Sequence, residues 1–306
     1  MKVIKSLNEL NEFDYAVTIG NFDGVHCGHQ KVIRNIKDEC EKSNLKLVVV
    51  TFTPHPIQIL NPKEHYLINS YSERRELLSE LGIDYLFEIE FNRDISLMPP
   101  KDFLDEFIFN AKAPAKFYLG HDFAFGAQKK GNHSFVKKYC EDINTEVIVL
   151  CSFDVEGGKV SSTIVREALA DGDVESVRKY LKRDYFIRGR VIKGAGRGRQ
   201  IGIPTANLDL DRYRRYPKNG VYITKTKFGE STWYSVTNIG HNPTFTDGMG
   251  VFVETHILDF DNDIYGNEIE VSFIKRLRDE KKFDSVNDLI EQINLDVDKT
   301  REYFND

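Results

Sequence analysis

The first half of the chain alternates two rhythms. Short, continuous apolar runs at 15–20 (YAVTIG), 45–52 (LKLVVVTF), 83–91 (IDYLFEIEF), 116–120 (KFYLG) and 146–153 (EVIVLCSF) read as strands buried on both faces. Between them, apolar residues recur at helical spacing. Residues 29–44 place Val32, Ile33, Ile36 and Cys40 on one face, residues 72–82 run from Ser72 as cap to Gly82 as stop, and 99–111 form a further helix. Strands alternating with helices predict a parallel sheet with helices on both sides.

Beyond residue 184 the rhythm changes. Strand-like segments at 185–194, 220–229, 231–240, 251–260 and 267–278 are separated by Gly, Asn or Asp turns, with no helix between them. That pattern predicts an antiparallel barrel or sandwich. Residues 285–304 close the chain as an amphipathic helix with Leu289, Ile293, Val297 and Tyr303 facing inward. The expected domains are therefore 1–183 and 184–306, meeting near KYLKRDY (179–185) without a low-complexity linker or internal repeat. Two fold classes in one chain imply two sites.

Composition narrows the function classes. The 306 residues are 41% hydrophobic and 29% charged, as in soluble globular proteins, and the net charge of −6 argues against a general nucleic-acid binder. No apolar run approaches membrane-spanning length, and the opening MKVIKSLNELNEFDYAV has neither the apolar core nor the cleavage site of a secretory signal. A cytoplasmic protein with no membrane partner is expected; the pattern sets no oligomeric state. None of Cys27, Cys40, Cys140 and Cys151 lies in a C-x-x-C pair, so they read as free thiols, with Cys27 filling a variable position.

In a parallel α/β sheet, ligands bind beyond the carboxyl ends of the strands. Three polar turns fall there: GNFDGVHCGH (20–29), TPHP (53–56) and GHDFAFGAQKKGN (120–132). At a helix start, exposed amides, a close approach at Gly28 and donors from His26 and His29, stronger when protonated, suit a phosphate. The same pair also suits two solvated loop histidines or, with His55 or His121 as third ligand, a zinc site. In GGKVSSTIVREALADGDV (157–174), Ser161, Ser162 and Thr163 precede a helix carrying Arg166. That is either a second anion clamp or an ordinary helix cap with a surface arginine. GAQKKG has Asn132 where a P-loop needs lysine, which excludes a Walker-type site.

The second half has its own candidates. KGAGRGRQIGIPTANLDLD (193–211) holds Gly194, Gly196, Gly198 and Gly202, suiting a loop that covers phosphates with its amides, or a flexible connection. Thr205 and Asn207, two apart in an extended segment, point to one side and offer two hard oxygens to a cation, or make a strand-end turn. In VFVETHILDF (251–260), Val251, Val253, Thr255 and Ile257 share one face, and Phe252, Glu254 and His256 the other. Glu254 is then a partly enclosed carboxylate or a solvated outer-face residue.

The H-x-G-H core of GNFDGVHCGH resembles nucleotidyltransferases of the HIGH superfamily. With TFTPHP, GHDFAFG and VSSTIVREAL it resembles the FAD synthetase half of bacterial bifunctional riboflavin kinase/FAD synthetases. GRGRQIGIPTANL, NGVYIT, TNIGHNPTF, VETHILDF and YGNEIEVSFIKRLRDEKKF resemble the riboflavin kinase half, so the likeness spans essentially the whole chain. It implies a Rossmann-like nucleotidyltransferase domain followed by a Greek-key barrel. The implied reactions are phosphorylation of riboflavin by ATP, then adenylylation of FMN to FAD with release of pyrophosphate, both with Mg²⁺.

By the same resemblance Gly20, Phe22, His26, Gly28, His29, Ser162, Thr163 and Arg166 would bind ATP in the first domain, with His26 and His29 at the α-phosphate. His55 and Asp122 would line the FMN pocket. In the barrel, Gly194, Gly196 and Gly198 would cover ATP, Thr205 and Asn207 would hold Mg²⁺–ATP, Glu254 would be the general base, and Arg278 would lie near flavin and nucleotide. Ile164 stands where the family commonly has an arginine; Arg166 remains, and the other positive contact is either missing or supplied by Lys129 or Lys130. Two alternatives share these features: a nucleotidyltransferase for another substrate with a flavin-binding regulatory barrel, and a non-catalytic flavin sensor.

Overall fold

The structure is a computed structural model describing all residues except 64, 122, 151–153, 156–157, 195, 197, 199–200, 242–249 and 306, and the side chains of 154, 155, 158 and 159. It divides into two compact units, Met1–Ser162 and Thr163–Asp306.

The first unit is built on a six-stranded parallel sheet of order β1-β4-β3-β2-β5-β8. Its strands are β1 (Lys2–Ile4), β2 (Tyr15–Ile19), β3 (Lys46–Thr53), β4 (Tyr85–Glu90), β5 (Lys116–Gly120) and β8 (Glu146–Leu150). Two short antiparallel pairs, β6 (Ala124–Phe125) with β7 (Gly131–Asn132) and β9 (Asp154–Val155) with β10 (Gly158–Lys159), lie outside it. Each face carries a core. Val17, Val48, Val50 and Phe117 pack on one side and Ala16, Leu47, Val49 and Tyr118 on the other, which is why these strands are apolar at every position. Burial pushes the Cys40 and Cys140 thiols up to about 11; both are free thiols, Cys27 is buried, and Cys151 lies outside the described residues.

Counted from β2, the five strands beside β1 run 3-2-1-4-5, a doubly wound order whose direction reverses between β2 and β5. The helices are α1 (Cys27–Lys42), α2 (Pro56–Leu60), α3 (Tyr71–Glu80), α4 (Arg93–Leu97), α5 (Pro100–Phe103) and α6 (His133–Tyr139). Three differ from the periodicity. α1 starts two residues early because His26 caps it. α3 is capped by Ser70, not Ser72: Ser70 Oγ accepts from Glu73 N (3.2 Å) and Glu73 Oε2 from Ser70 N (2.9 Å), a reciprocal box. α5 widens at Leu104–Ile108 into a π turn closed by Phe109 N on Leu104 O (2.8 Å), and stops short of 111.

The second unit opens one residue into α7 (Ser162–Asp171), and α7 and α8 (Val174–Leu181) precede a closed barrel of β11 (Tyr185–Ile192), β12 (Ala206–Leu208), β13 (Gly220–Phe228), β14 (Ser231–His241), β15 (Val251–Ile257) and β16 (Glu268–Arg278). The change of strand type sits at 184, but α8 packs on β11 and β16, and Lys218 N donates to Leu169 O of α7 (2.9 Å). The cyclic order β11-β12-β15-β14-β13-β16 places β16 beside β13 in Greek-key fashion. β12, only three residues long, is too short for a periodic signal. The barrel interior is partly polar: Thr224, Thr226, Ser235, Thr237 and Thr255 are fully buried and joined by hydroxyl hydrogen bonds of 2.7–3.5 Å.

The last helix, α9 (Val286–Asn305), packs on β14. Leu289, Ile293 and Val297 are half-buried, but Tyr303 is exposed; Phe304 instead stacks on Tyr234 at 4.0 Å. The most buried residues of α9 are Asp296 and Thr300. Asp296 accepts from Arg278 Nε (2.9 Å), Arg278 Nη2 (2.7 Å) and Gln292 Nε2 (3.1 Å), tying α9 to β16. Removing one partner of a buried pair strands the other charge. Asp296→Ala is therefore expected to destabilise the second unit by about 3 kcal/mol, and Asp296→Leu with Arg278→Met to recover part of that loss. Denaturant titration followed by emission of the single tryptophan, Trp233 on β14, reads both.

Candidate active sites

The first site lies beyond β2, at the point where the strand order reverses. The turn from β2 into α1 is strained: Phe22 and Val25 hold φ of 50° and 40°, rare for a bulky and a β-branched residue. The surroundings fix it. The Asp23 carboxylate accepts from Ile68 N (3.0 Å) and Asn69 N (3.4 Å), and Ser162 Oγ donates to Asp23 O (2.9 Å). Gln30 Nε2 donates to Val25 O (2.9 Å), and the buried Arg74 donates through Nη1 to Asn21 O (3.2 Å). Gly20 leaves the sheet with its N–H on Val50 O (3.0 Å).

This turn delivers an imidazole as the helix cap. His26 Nδ1 accepts from His29 N (3.4 Å), which makes Nε2 the donor nitrogen of the neutral ring. An aspartate or serine is the usual cap; an imidazole satisfies the amide without adding negative charge, and α1 has no acidic residue in its first turn. The helix start therefore keeps its positive end. His29 stacks on His26 with ring centroids 3.7 Å apart, and the edge of Phe22 meets His29 at 5.2 Å. A Cβ at Gly28 would lie 3.2 Å from the His26 ring, so glycine lets that ring settle against the helix. Among the described residues the enclosed His29 Nδ1 has no hydrogen-bond partner. Enclosure, and then the neighbouring His26, hold the His29 imidazole well below the usual histidine range. That enclosure favours the uncharged ring, so the stronger donation expected of protonated rings is disfavoured at His29.

The β3 turn supplies His55, buried as the cap of α2, its Nδ1 accepting from Ile57 N (3.2 Å) and its N–H donating to Tyr71 Oη (2.7 Å). Asp122 lies outside the described residues. Lys129 and Lys130 are exposed in the turn after β6. Thr163 and Arg166 belong to the second unit, on the opening turns of α7, Thr163 exposed and Arg166 half-buried. Among the described residues no three His, Cys, Asp or Glu side chains converge as metal ligands.

In the barrel, a cavity of about 260 Å³ is lined by Gly194, Gly196, Thr205 and Asn207, and by Phe260, Asp261, Asn262, Asp263 and Tyr265 after β15. Gly198 is half-buried nearby in sequence. A Cβ at Gly194 would meet Asn207 Nδ2 at 2.4 Å, so this loop closes on the Asn207 amide only without a side chain. Thr205 and Asn207 offer neutral, hard oxygens, which fit a magnesium ion that arrives with phosphates rather than one held by a protein cage. Glu254 is half-buried on the outer barrel wall, directly opposite Asn207 in the ladder. Arg278 is committed to Asp296.

Sequence reasoning missed Asp23, Arg74 and the 260–265 segment. The signal for the last was a run of Asp and Asn closing at Gly266 directly after a strand. Arg74 offered none, being one of several charges on a helix.

Family models match both units: the FAD synthetase model covers residues 9–164 and the riboflavin kinase model residues 181–304. The bifunctional riboflavin kinase/FMN adenylyltransferase of Bacillus subtilis (strain 168) is 35% identical across 94% of this chain and 92% of its own. That of Escherichia coli (strain K12) is 33% identical across 99% and 98%. A solved structure of a protein described as a macrolide-efflux protein from Streptococcus pneumoniae shares the fold, with a TM-score of 0.86, 34% identity and 98% and 99% of the two chains covered. Among the described residues no helix here is long and apolar enough to cross a membrane. With a reversed-order sheet and a Greek-key barrel, each carrying its own polar site, the chain belongs to the bifunctional riboflavin kinase/FMN adenylyltransferase family.

Proposed function

We propose that residues 184–306 phosphorylate riboflavin and residues 1–183 adenylylate the resulting FMN, as one cytoplasmic enzyme with Mg²⁺–ATP in both steps. The family carries both activities. The observation behind the adenylyl-transfer site is the neutral, partner-poor His29 stacked on a capping His26 at the positive end of α1.

In adenylyl transfer an FMN phosphate oxygen attacks Pα of ATP, the bond from Pα to the bridging oxygen breaks, and pyrophosphate leaves. The nucleophile is already anionic and needs no base. The His26 Nε2–H and the α1 amides would donate to oxygens on which charge builds, and the rigid turn would align them. In the kinase step the terminal ribityl hydroxyl attacks Pγ, its proton passes to the Glu254 carboxylate, and ADP leaves with the bridging oxygen. Magnesium, held by Thr205 and Asn207, would neutralise phosphate charge. Regulatory flavin binding or sensing alone would need neither a carboxylate at 254 nor the 205–207 oxygen pair.

The reading is tested by supplying riboflavin with Mg²⁺–ATP and following products: FMN appears first, then FAD. His29→Ala is expected to reduce FAD formation at least about a hundredfold with FMN formation near normal; equal loss of both counts against separate sites. Glu254→Gln is expected to stop FMN formation at every pH while FAD formation from added FMN continues. For His29, whose folded-state ionisation lies below the unfolded value of 6.5, the unfolded chain takes up the proton first as pH falls. Its contribution to stability is therefore complete above the unfolded value and declines as pH drops toward the lowered folded one. An imidazole NMR titration is expected to show His29 still neutral at pH 6.5; half-protonation there contradicts it.

A further inference from the structure

The barrel register lines up one row of side chains around the outer wall. Asn207 on β12 faces Glu254 on β15, Glu254 faces Asn238 on β14, Asn238 faces Val221 on β13, and Val221 faces Arg278 on β16. Directly opposed residues project to the same side of a sheet. Their strand neighbours Thr237 and Thr255 fill the interior, so this row points outward. Asn207 lines the cavity at one end of the row, and Arg278 meets α9 at the other. Asn238 stands in the middle, one strand beyond Glu254 on the side away from Asn207.

Asn238 Oδ1 is buried and, among the described residues, accepts no hydrogen bond. An enclosed amide oxygen without a donor carries a standing cost that a ligand hydroxyl would relieve. Its neighbour in the row is the carboxylate read above as taking the proton of the reacting hydroxyl. Their strands are directly paired, about 4.8 Å apart, so the two side chains stand next to each other on one face. Two vicinal hydroxyls of a polyol bridge such a gap when each donates to its own acceptor.

We propose that Asn238 is a substrate-binding residue of the kinase step, its Oδ1 accepting from the secondary ribityl hydroxyl next to the terminal hydroxyl that faces Glu254. This rests on the reading of Glu254 as base. Asn238 gives the site a preference for a polyol over a simple alcohol, and turns the terminal oxygen toward the phosphate.

The test uses the full chain, with riboflavin and 4′-deoxyriboflavin as substrates. The native chain is expected to favour riboflavin in kcat/KM by about tenfold or more, because a buried acceptor built for a hydroxyl rejects the analogue lacking it. In Asn238→Leu, similar in size but without the acceptor, the ratio is expected to collapse to within about twofold of unity, chiefly through slower riboflavin turnover, with the KM for ATP and FMN adenylylation unchanged. Asn238→Asp, which keeps an oxygen there, is expected to retain the preference. Trp233 emission reports that the barrel is intact, and Asn238→Ala carries the same expectation if leucine disturbs it. A Leu or Ala variant that keeps the native ratio, or a native chain indifferent to the missing hydroxyl, overturns the proposal. Turnover retained by Glu254→Gln would instead remove the base, while the substrate ratio would still report on the Asn238 acceptor by itself.

Discussion

One buried cation organises the first unit. Arg74, on α3, donates to Asn21 O in the turn after β2, and to Phe52 O (3.1 Å) and Thr53 Oγ1 (3.0 Å) at the end of β3. Its counter-charge, Glu88 Oε1 on β4, lies 3.1 Å away. A single guanidinium, whose planar fork can reach several acceptors at once, thus fastens the ends of three adjacent strands. The left-handed conformations of Phe22 and Val25 persist because such contacts over-determine the turn. The position of His26 as cap, and of His29 stacked behind it, follows from that turn. The proposed adenylyl-transfer site therefore depends on a residue that takes no part in its chemistry.

The barrel reaches the same end by register rather than by a strut. Glu254, Asn207 and Asn238 share a row only because β12, β14 and β15 pair as they do. A slip of one residue would turn this row inward and push the Thr224–Thr226–Ser235–Thr237–Thr255 hydroxyls out to the surface. Those hydroxyls are mutually satisfied in the closed barrel, whereas an apolar interior would constrain pairing less specifically. The polar core is thus a means of holding the outer wall in one alignment, at some loss of apolar burial.

The sequence carried the architecture well where periodicity is long. The parallel strands, the later antiparallel ones and the closing helix were all legible, and so was the clustering of polar turns at strand ends. What escaped depended on partners distant in the chain. Arg74 reads as one more charge on an amphipathic helix until Glu88, fourteen residues away, folds beside it. Tyr303 and Phe304 both suit an inward position, and only the ring of Tyr234 selects Phe304. Arg278 suggested a ligand contact; its pairing with Asp296, eighteen residues on in the closing helix, was not legible from its own segment. The neutrality of His29 is likewise a consequence of enclosure, which no spacing of histidines reveals.

The two sites differ in the way their nucleophiles require. Adenylyl transfer joins two anions, so the first site needs donors that follow charge as it moves to the leaving oxygen. On the proposed reading the capping His26 and a neutral His29 over a helix start would provide this, and a site without paired cations would hold the departing pyrophosphate less strongly. Phosphorylation starts from a neutral alcohol, so the second site needs a proton acceptor, and the half-buried Glu254 carboxylate beside two amides is the one proposed. The flavin, neutral at its reacting oxygen before the first step and anionic after it, is suited to each site only in turn. The order of the two reactions thus follows from what each site supplies. In the proposed roles, a carboxylate on the barrel wall would take the proton that an alcohol must lose, and a capped helix start would steady a phosphate that has none to give.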